Sequence, residues 1–249
     1  MRNTHGARFC NTPLSGAALL HGGCHSFEDW GIVPKQPLHV PAAKDATPSV
    51  TIRGAVNETT LRLTGLTGGD PVFATIKDSW EFMVRRQHHW VILRDKIVNY
   101  LQGKEIRVVL DDDRAHFYRG SVSVNDFAPT EGRSKLTLDY EFEPYKYELA
   151  TSLEPWLWSP FRFPDGVIRD YKNMTVNGTL ALTVIGSPMP VVPTFISTGT
   201  VSVTFAGVTT PLTAGVRTAI PSVVIREGTQ TITFTGSGTV SVDYRGGRL

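Results

Sequence analysis

Three adjacent carboxylates, Asp111-Asp112-Asp113, are the first residues in this sequence whose types and spacing could do chemistry. Hard cations such as Ca²⁺ and Mg²⁺ take oxygen ligands of this kind. The triplet, however, separates an apolar row ending at Leu110 from a strand-like stretch beginning near His116. Successive strand residues point to opposite faces, so only alternate carboxylates could converge. The Asp-x-Asp-x-Asp-Gly loop with a glutamate beyond it is absent. The expected structure is a solvated hairpin turn, not a metal site. His88-His89, preceded by Gln87, is a second candidate. Adjacent helix residues diverge by about 100°, so both imidazoles do not easily reach one metal ion. The metalloprotease spacing of two His four apart with a Glu between them is missing, and the pair is read as the start of a helix.

Other chemistries fare no better. Gly65 to Asp70 (GLTGGD) has glycines but lacks the Lys-Ser/Thr of a phosphate loop, and is read as a turn between strands. No nucleophile elbow or dinucleotide fingerprint occurs. A glycosidase needs two facing carboxylates. The last third of the chain offers only Glu227 and Asp243, and Glu227-Gly228 has the form of a turn. Catalytic, metal-ligating and cofactor-binding residues are therefore expected to be none, and no cofactor is expected. A sugar-binding site would need exposed rings. In the last third Phe205, Phe234 and Tyr244 fall in phase with the apolar face, and no tryptophan is left over. A sugar-binding adhesin and a hydrolase with an unrecognised site remain as alternatives.

The elements that would position any such site are mostly strands. Hydrophobic residues make up 41% of the chain and charged residues 19%, which places it among globular proteins with a real core. The formal net charge of +2 calls for no polyanionic partner. Period-2 alternation recurs at Val50/Ile52, Leu61/Leu63, Trp80/Phe82/Val84, Ile106/Val108/Leu110, Val122/Val124 and Leu136/Leu138/Tyr140/Phe142. From His88 to Gln102 the spacing changes. Trp90, Leu93, Ile97, Tyr100 and Leu101 fall at helical intervals, and Gly103 follows as a C-terminal cap. Residues 1–148 thus read as a β-rich domain, a sandwich or split barrel, with one α-helix.

Residues 149–173 fit neither period. Pro155, Pro160 and Pro164 break regular structure, while Trp156, Trp158, Phe161 and Phe163 are too apolar for a free linker. An ordered connector packed on one or both domains is expected. Of the 48 charged residues, only Arg217, Arg226, Glu227, Asp243, Arg245 and Arg248 lie beyond residue 174. This shift, with rows such as Leu180/Leu182/Val184 and Val240/Val242/Tyr244, marks residues 174–249 as a second, sandwich-like β domain. Gly236-Ser237-Gly238 is expected to be a hairpin turn. A bridge between Cys10 and Cys24 stays open, but free thiols are expected. Leu14 to Leu20 is too short to span a membrane and no cleavage-site pattern follows it. No membrane insertion and no signal peptide are expected, with synthesis in cytoplasm.

Several of these segments resemble, in order, the distal tail protein family of siphophages that infect Gram-positive hosts. They are Ser49 to Phe73; Trp80 to Val124, with Ile97-Val98-Asn99-Tyr100-Leu101-Gln102-Gly103-Lys104 and Tyr118-Arg119-Gly120; Glu143-Pro144-Tyr145-Lys146-Tyr147; Trp156-Leu157-Trp158-Ser159-Pro160-Phe161; and Tyr244-Arg245-Gly246-Gly247. Gln102-Gly103 stands where a His-Gly pair is more usual, and the first 25 residues lie outside the likeness. The resemblance implies a virion structural protein at the distal end of the tail. Its N-terminal domains would form a hexameric ring, single or stacked, joining the tail tube protein to the tail-tip protein, with a receptor-binding protein as a further neighbour. Genomic DNA would pass through the channel without sequence-specific binding. The C-terminal domain would be a galectin-like or carbohydrate-module-like sandwich that projects outward.

Overall fold

Alternating apolar side chains need a second surface to bury against, and in this chain most of the described rows meet one another in two core clusters. The computed structural model describes residues 6–53, 58–63, 69–84, 90–128, 134–164 and 166–249, and the fold is mainly β. In chain order the elements are β1 (Ala7–Cys10), α1 (Gly16–His21), β2 (Cys24–His25), β3 (Ile32–Pro34), β4 (Ser49–Arg53), β5 (Glu58–Arg62), β6 (Ile76–Val84), α2 (Trp90–Leu101) and β7 (Ile106–Leu110). They continue with β8 (Asp113–Ala128), β9 (Ser134–Phe142), β10 (Lys146–Glu148), β11 (Met174–Gly186), β12 (Thr194–Phe205), β13 (Val208–Leu212), β14 (Arg217–Ala219), β15 (Gly228–Asp243) and β16 (Gly247–Arg248).

The larger sheet runs β2-β1-β7-β8-β9-β6-β3, with β10 on β8 and β16 on β10. Register places Trp80 opposite Leu138 and Phe82 opposite Leu136, so the two longest apolar rows face one core. The β4–β5 hairpin forms its own two-stranded sheet. Helix α2 closes the core. Ile97 and Leu101 are wholly buried, and Leu93 and Tyr100 are half-buried beside them. Trp90 stacks on Phe127 at 5.6 Å, and Gly103, at φ 70°, terminates the helix as expected. Ile97→Ala is expected to cost about 2–5 kcal/mol in chemical denaturation. A neutral result would mean that the stripe carries no core.

Residues 6–25, which lie outside the family likeness, build one end of this sheet. β1 pairs with both β2 and β7. Ala7 and Phe9 are fully buried, and Phe9 stacks on Trp30 at 5.2 Å. On the opposite face, Cys10, Leu19 and Leu20 pack with Val109, Phe117 and Leu149. The expected single helix is therefore joined by the short α1. Its cover explains why Val109 is buried as well as its neighbours Val108 and Leu110. Cys10 is buried and Cys24 half-buried, both as free thiols.

The second sheet, β11-β15-β12-β13 with β14 on β12, overturns one expectation. Gly236-Ser237-Gly238 is no hairpin turn. β15 runs straight through it, paired with β11 on one side and β12 on the other. The glycines are required by close approach: a Cβ on Gly236 would lie 2.0 Å from the Thr200 oxygen, and one on Gly238 1.8 Å from the Thr198 oxygen. Gly178 faces Gly236 and Gly199 faces Gly238, so the three adjacent strands share a glycine crease.

The sheet folds over at that crease. Phe234 pairs with Val203, eight residues beyond Phe195 on β12. On a flat sheet that offset would part the Phe195 and Phe234 rings by about 26 Å. Their centroids are 6.0 Å apart. The sandwich-like core is thus made by two arms of one sheet, β11-β15-β12-β14 against β11-β15-β12-β13, with Val176, Phe195 and Val242 of one arm sharing a cluster with Val203, Ile232 and Phe234 of the other.

Candidate functional site

The sequence's densest functional candidates meet at two places. The first is the Asp111–Asp113 turn. Asp111 Oδ2 accepts from the Gly6 N–H at 2.9 Å and lies 3.0 Å from His25 Nε2. Asp113 Oδ1 lies 2.8 Å from His116 Nδ1, and its Oδ2 accepts from Lys146 Nζ at 3.2 Å. Both histidines are buried. The expectation of a turn solvated throughout is corrected: two carboxylates are drawn inward, each to a different histidine. Among the described residues no group of three His, Cys, Asp or Glu is placed to hold a metal ion. Burial pushes the Asp113 carboxyl up, but His116 and Lys146 outweigh it and hold the group at about 2. Burial likewise raises Asp111, and His25 and the Gly6 N–H bring it below the usual carboxylate range.

A folded value below the unfolded one, about 3.9, makes this stability present above about pH 4 and lost as pH falls toward 2. Asp113→Asn is therefore expected to cost roughly 1–2 kcal/mol at neutral pH, with a gap to wild type that closes between pH 4 and 2 in thermal melts. A gap that persisted unchanged to pH 2 would contradict the assignment.

The second place is the junction between the large sheet, residues 149–173 and the chain end. β16 pairs with β10, which returns the C-terminus to the first sheet. Ser152 Oγ donates to the Val242 carbonyl at 2.6 Å and accepts from the Tyr244 N–H at 2.9 Å, while Tyr171 stacks on Tyr244 at 6.0 Å. Arg245 donates to the carbonyls of Glu148 and Leu149 and to Ser15 Oγ, with its guanidinium 5.1 Å from the Phe117 ring centre. Burial pulls Arg245 down to about 10, with Glu154 opposing. Arg169 Nη1 ion-pairs with Glu148, its Nε donates to the Ile185 carbonyl at 3.1 Å, and the guanidinium lies 5.3 Å from the Tyr244 ring centre.

Beside this core runs a groove lined by His116, Glu148, Glu154, Trp156, Phe161 and Arg169. The connector aromatics do not all pack on the domains as expected. The aliphatic Leu157 packs on the first domain, but Trp158 is 71% and Phe163 66% exposed. The rings pack on one another instead: Trp156–Trp158 at 5.2 Å, Trp156–Phe161 at 5.3 Å, Trp158–Phe163 at 5.4 Å and Phe161–Phe163 at 5.2 Å.

The remaining sequence candidates are dispersed. His88-His89 and residues 65–68 lie outside the described residues. Asp70 holds Arg226 by two hydrogen bonds of 2.9 and 3.0 Å, which ties the first sheet's loops to the second sheet. Asp243 ion-pairs with Arg217, and Glu227 is exposed at the start of β15. Phe234 and Tyr244 are buried and Phe205 half-buried. Sequence reasoning passed over Glu148, Arg169 and Arg245. For Arg245 the scarcity of charge beyond residue 174 was the available signal, since a cation retained in such a segment tends to have a fixed partner; Glu148 and Arg169 lie before that break and carried no such signal.

The fold is mainly β, with a groove and an aromatic cluster where the connector meets the larger sheet. No protein-family model matches the chain, and no curated protein matches it. Among solved structures, the crystal structure of the SPP1 Dit protein, described as a paradigm of the hub adsorption apparatus in phages infecting Gram-positive bacteria, is similar at a TM-score of 0.45 and 9% identity over 88% of this chain and 92% of that one. Among the described residues no helix is long and apolar enough to cross a membrane.

Proposed function

We propose that this chain is a structural, non-enzymatic hub subunit at the distal end of a bacteriophage tail. The observation that carries the reading is the segment Trp80 to Val124, the most family-like stretch of the sequence. It folds as β6, α2, β7, an acidic turn and β8, a strand-helix-strand-turn-strand unit in the order that the resemblance implies. Residues 1–148 would build a hexameric ring around a DNA channel, between the tail tube and the tail-tip proteins. Residues 174–249 would project outward, held by the connector 149–173. A ring suits sheets with free edges, because a neighbouring copy covers each edge and closure limits growth. Negative-stain electron microscopy of the purified chain should show six-fold rings with a central hole. Fields of small particles without a hole would contradict the reading.

A further inference from the structure

We propose that the groove beside the connector, with the exposed rings of Trp158 and Phe163 packed on its wall residues Trp156 and Phe161, binds a neutral saccharide. The inference does not rest on the ring reading.

Three observations converge. The first is the rings. Aromatic faces this exposed are costly to leave in water, and they cluster next to a concavity and are not scattered singly. Trp156 and Phe161 belong both to the cluster and to the groove wall. A pyranose ring offers what such a wall takes, one face of C–H groups for the indole and a periphery of hydroxyls for polar neighbours.

The second is a donor without a partner. Arg169 is 6% exposed, lines the groove, and is fixed by Glu148, the Ile185 carbonyl and the Tyr244 ring. Its Nη2 is buried and meets no acceptor among the described residues. Buried donors are almost always satisfied, so one left over in a groove wall points to an acceptor supplied from outside. The guanidinium is already held in place, so little ordering is lost when a ligand arrives.

The third is charge. Glu148 and Glu154 stand among Arg162, Arg169 and Arg248, which gives both signs in close quarters and no large excess of either. A strongly anionic polymer would meet two carboxylates, whereas hydroxyls can donate to the carboxylates and accept from the guanidiniums. A concavity lined by rings and by charged side chains of both signs favours a small polar ligand over a protein face, which would seek a flat apolar patch. Sequence alone placed any sugar site in the second domain and found no tryptophan for it. Two of the five tryptophans, Trp156 and Trp158, are in the connector.

The test uses the full chain on an array of neutral hexopyranose oligosaccharides, including N-acetylglucosamine hexamer and maltohexaose, followed by fluorescence titration of the strongest binder. Wild type should bind at least one glycan saturably. Trp158→Ala and Phe163→Ala should each weaken that binding roughly tenfold, about 1.4 kcal/mol. Both side chains are exposed, so both variants should melt with the wild type, which thermal melts check. The proposal is overturned if wild type binds no neutral glycan, or if binding survives both substitutions. It is equally overturned if Trp158→Ala alters the sedimenting mass while no glycan binds, since the rings would then be a protein contact.

Discussion

Gly238→Ala should be the most damaging single substitution in the second sheet, costing roughly 3–6 kcal/mol. Two penalties coincide. The backbone stands at φ 148°, which an L side chain rarely adopts, and the added Cβ would sit 1.8 Å from the Thr198 oxygen. Relief would require β12 to move away from β15, which opens the crease on which the two arms fold. Gly207→Ala is the matched control. Gly207 also has positive φ, at 82°, but nothing lies within 4 Å of the new methyl. It closes the two-residue turn between Phe205 and Val208, and its loss should cost only about 1 kcal/mol. Denaturation of the two variants should therefore separate them widely. Equal, mild effects would mean that the crease is not close-packed.

Arg245→Ala should be the most damaging change at the junction, at roughly 3–5 kcal/mol. The side chain sits among Phe117, Ser15 and Glu154 and satisfies the carbonyls of Glu148 and Leu149, two residues at the end of β10 and the start of the connector. Removing it takes a donor from both oxygens, of which that of Leu149 keeps the Gly16 N–H, and empties a slot in the packing. Arg245→Met restores the bulk without the charge and should recover only a minor part of the loss. Proteolysis should then cut residues 149–173 in the variants at concentrations of protease that leave the wild type whole. A methionine variant as stable as the wild type would show that the slot needs bulk alone.

What the sequence disclosed follows from where its physics is local. Alternation at Trp80/Phe82/Val84 and Leu136/Leu138/Tyr140/Phe142 and helical spacing at Leu93/Ile97/Leu101 are local signals, and each apolar row faces the core. The role of Gly236 and Gly238 was not legible, because glycine serves a tight turn and a close strand crossing alike, and only the register with Thr198 and Thr200 distinguishes them. The acidic turn was misread in part for the same reason. The partners of Asp111 and Asp113 are His25 and His116, and His25 lies 86 residues away in sequence. The apolar character of Trp158 and Phe163 was plain, but burial was the natural inference from it. Their exposure appears only once Leu149, Ser152 and Leu157 are seen to hold the connector without them.

Sedimentation equilibrium at tens of micromolar tests the central claim, a ring built by the first domain, most directly. The measurement compares the full chain with a fragment of residues 149–249, which retains Ser152 and Tyr171 as partners of β15 and Tyr244. The fragment should fold cooperatively and sediment as a monomer, because its own creased sheet supplies its core. The full chain should sediment at six times its 27.4 kDa subunit mass. A full chain that remains monomeric, or a fragment that forms the hexamer by itself, would contradict the account.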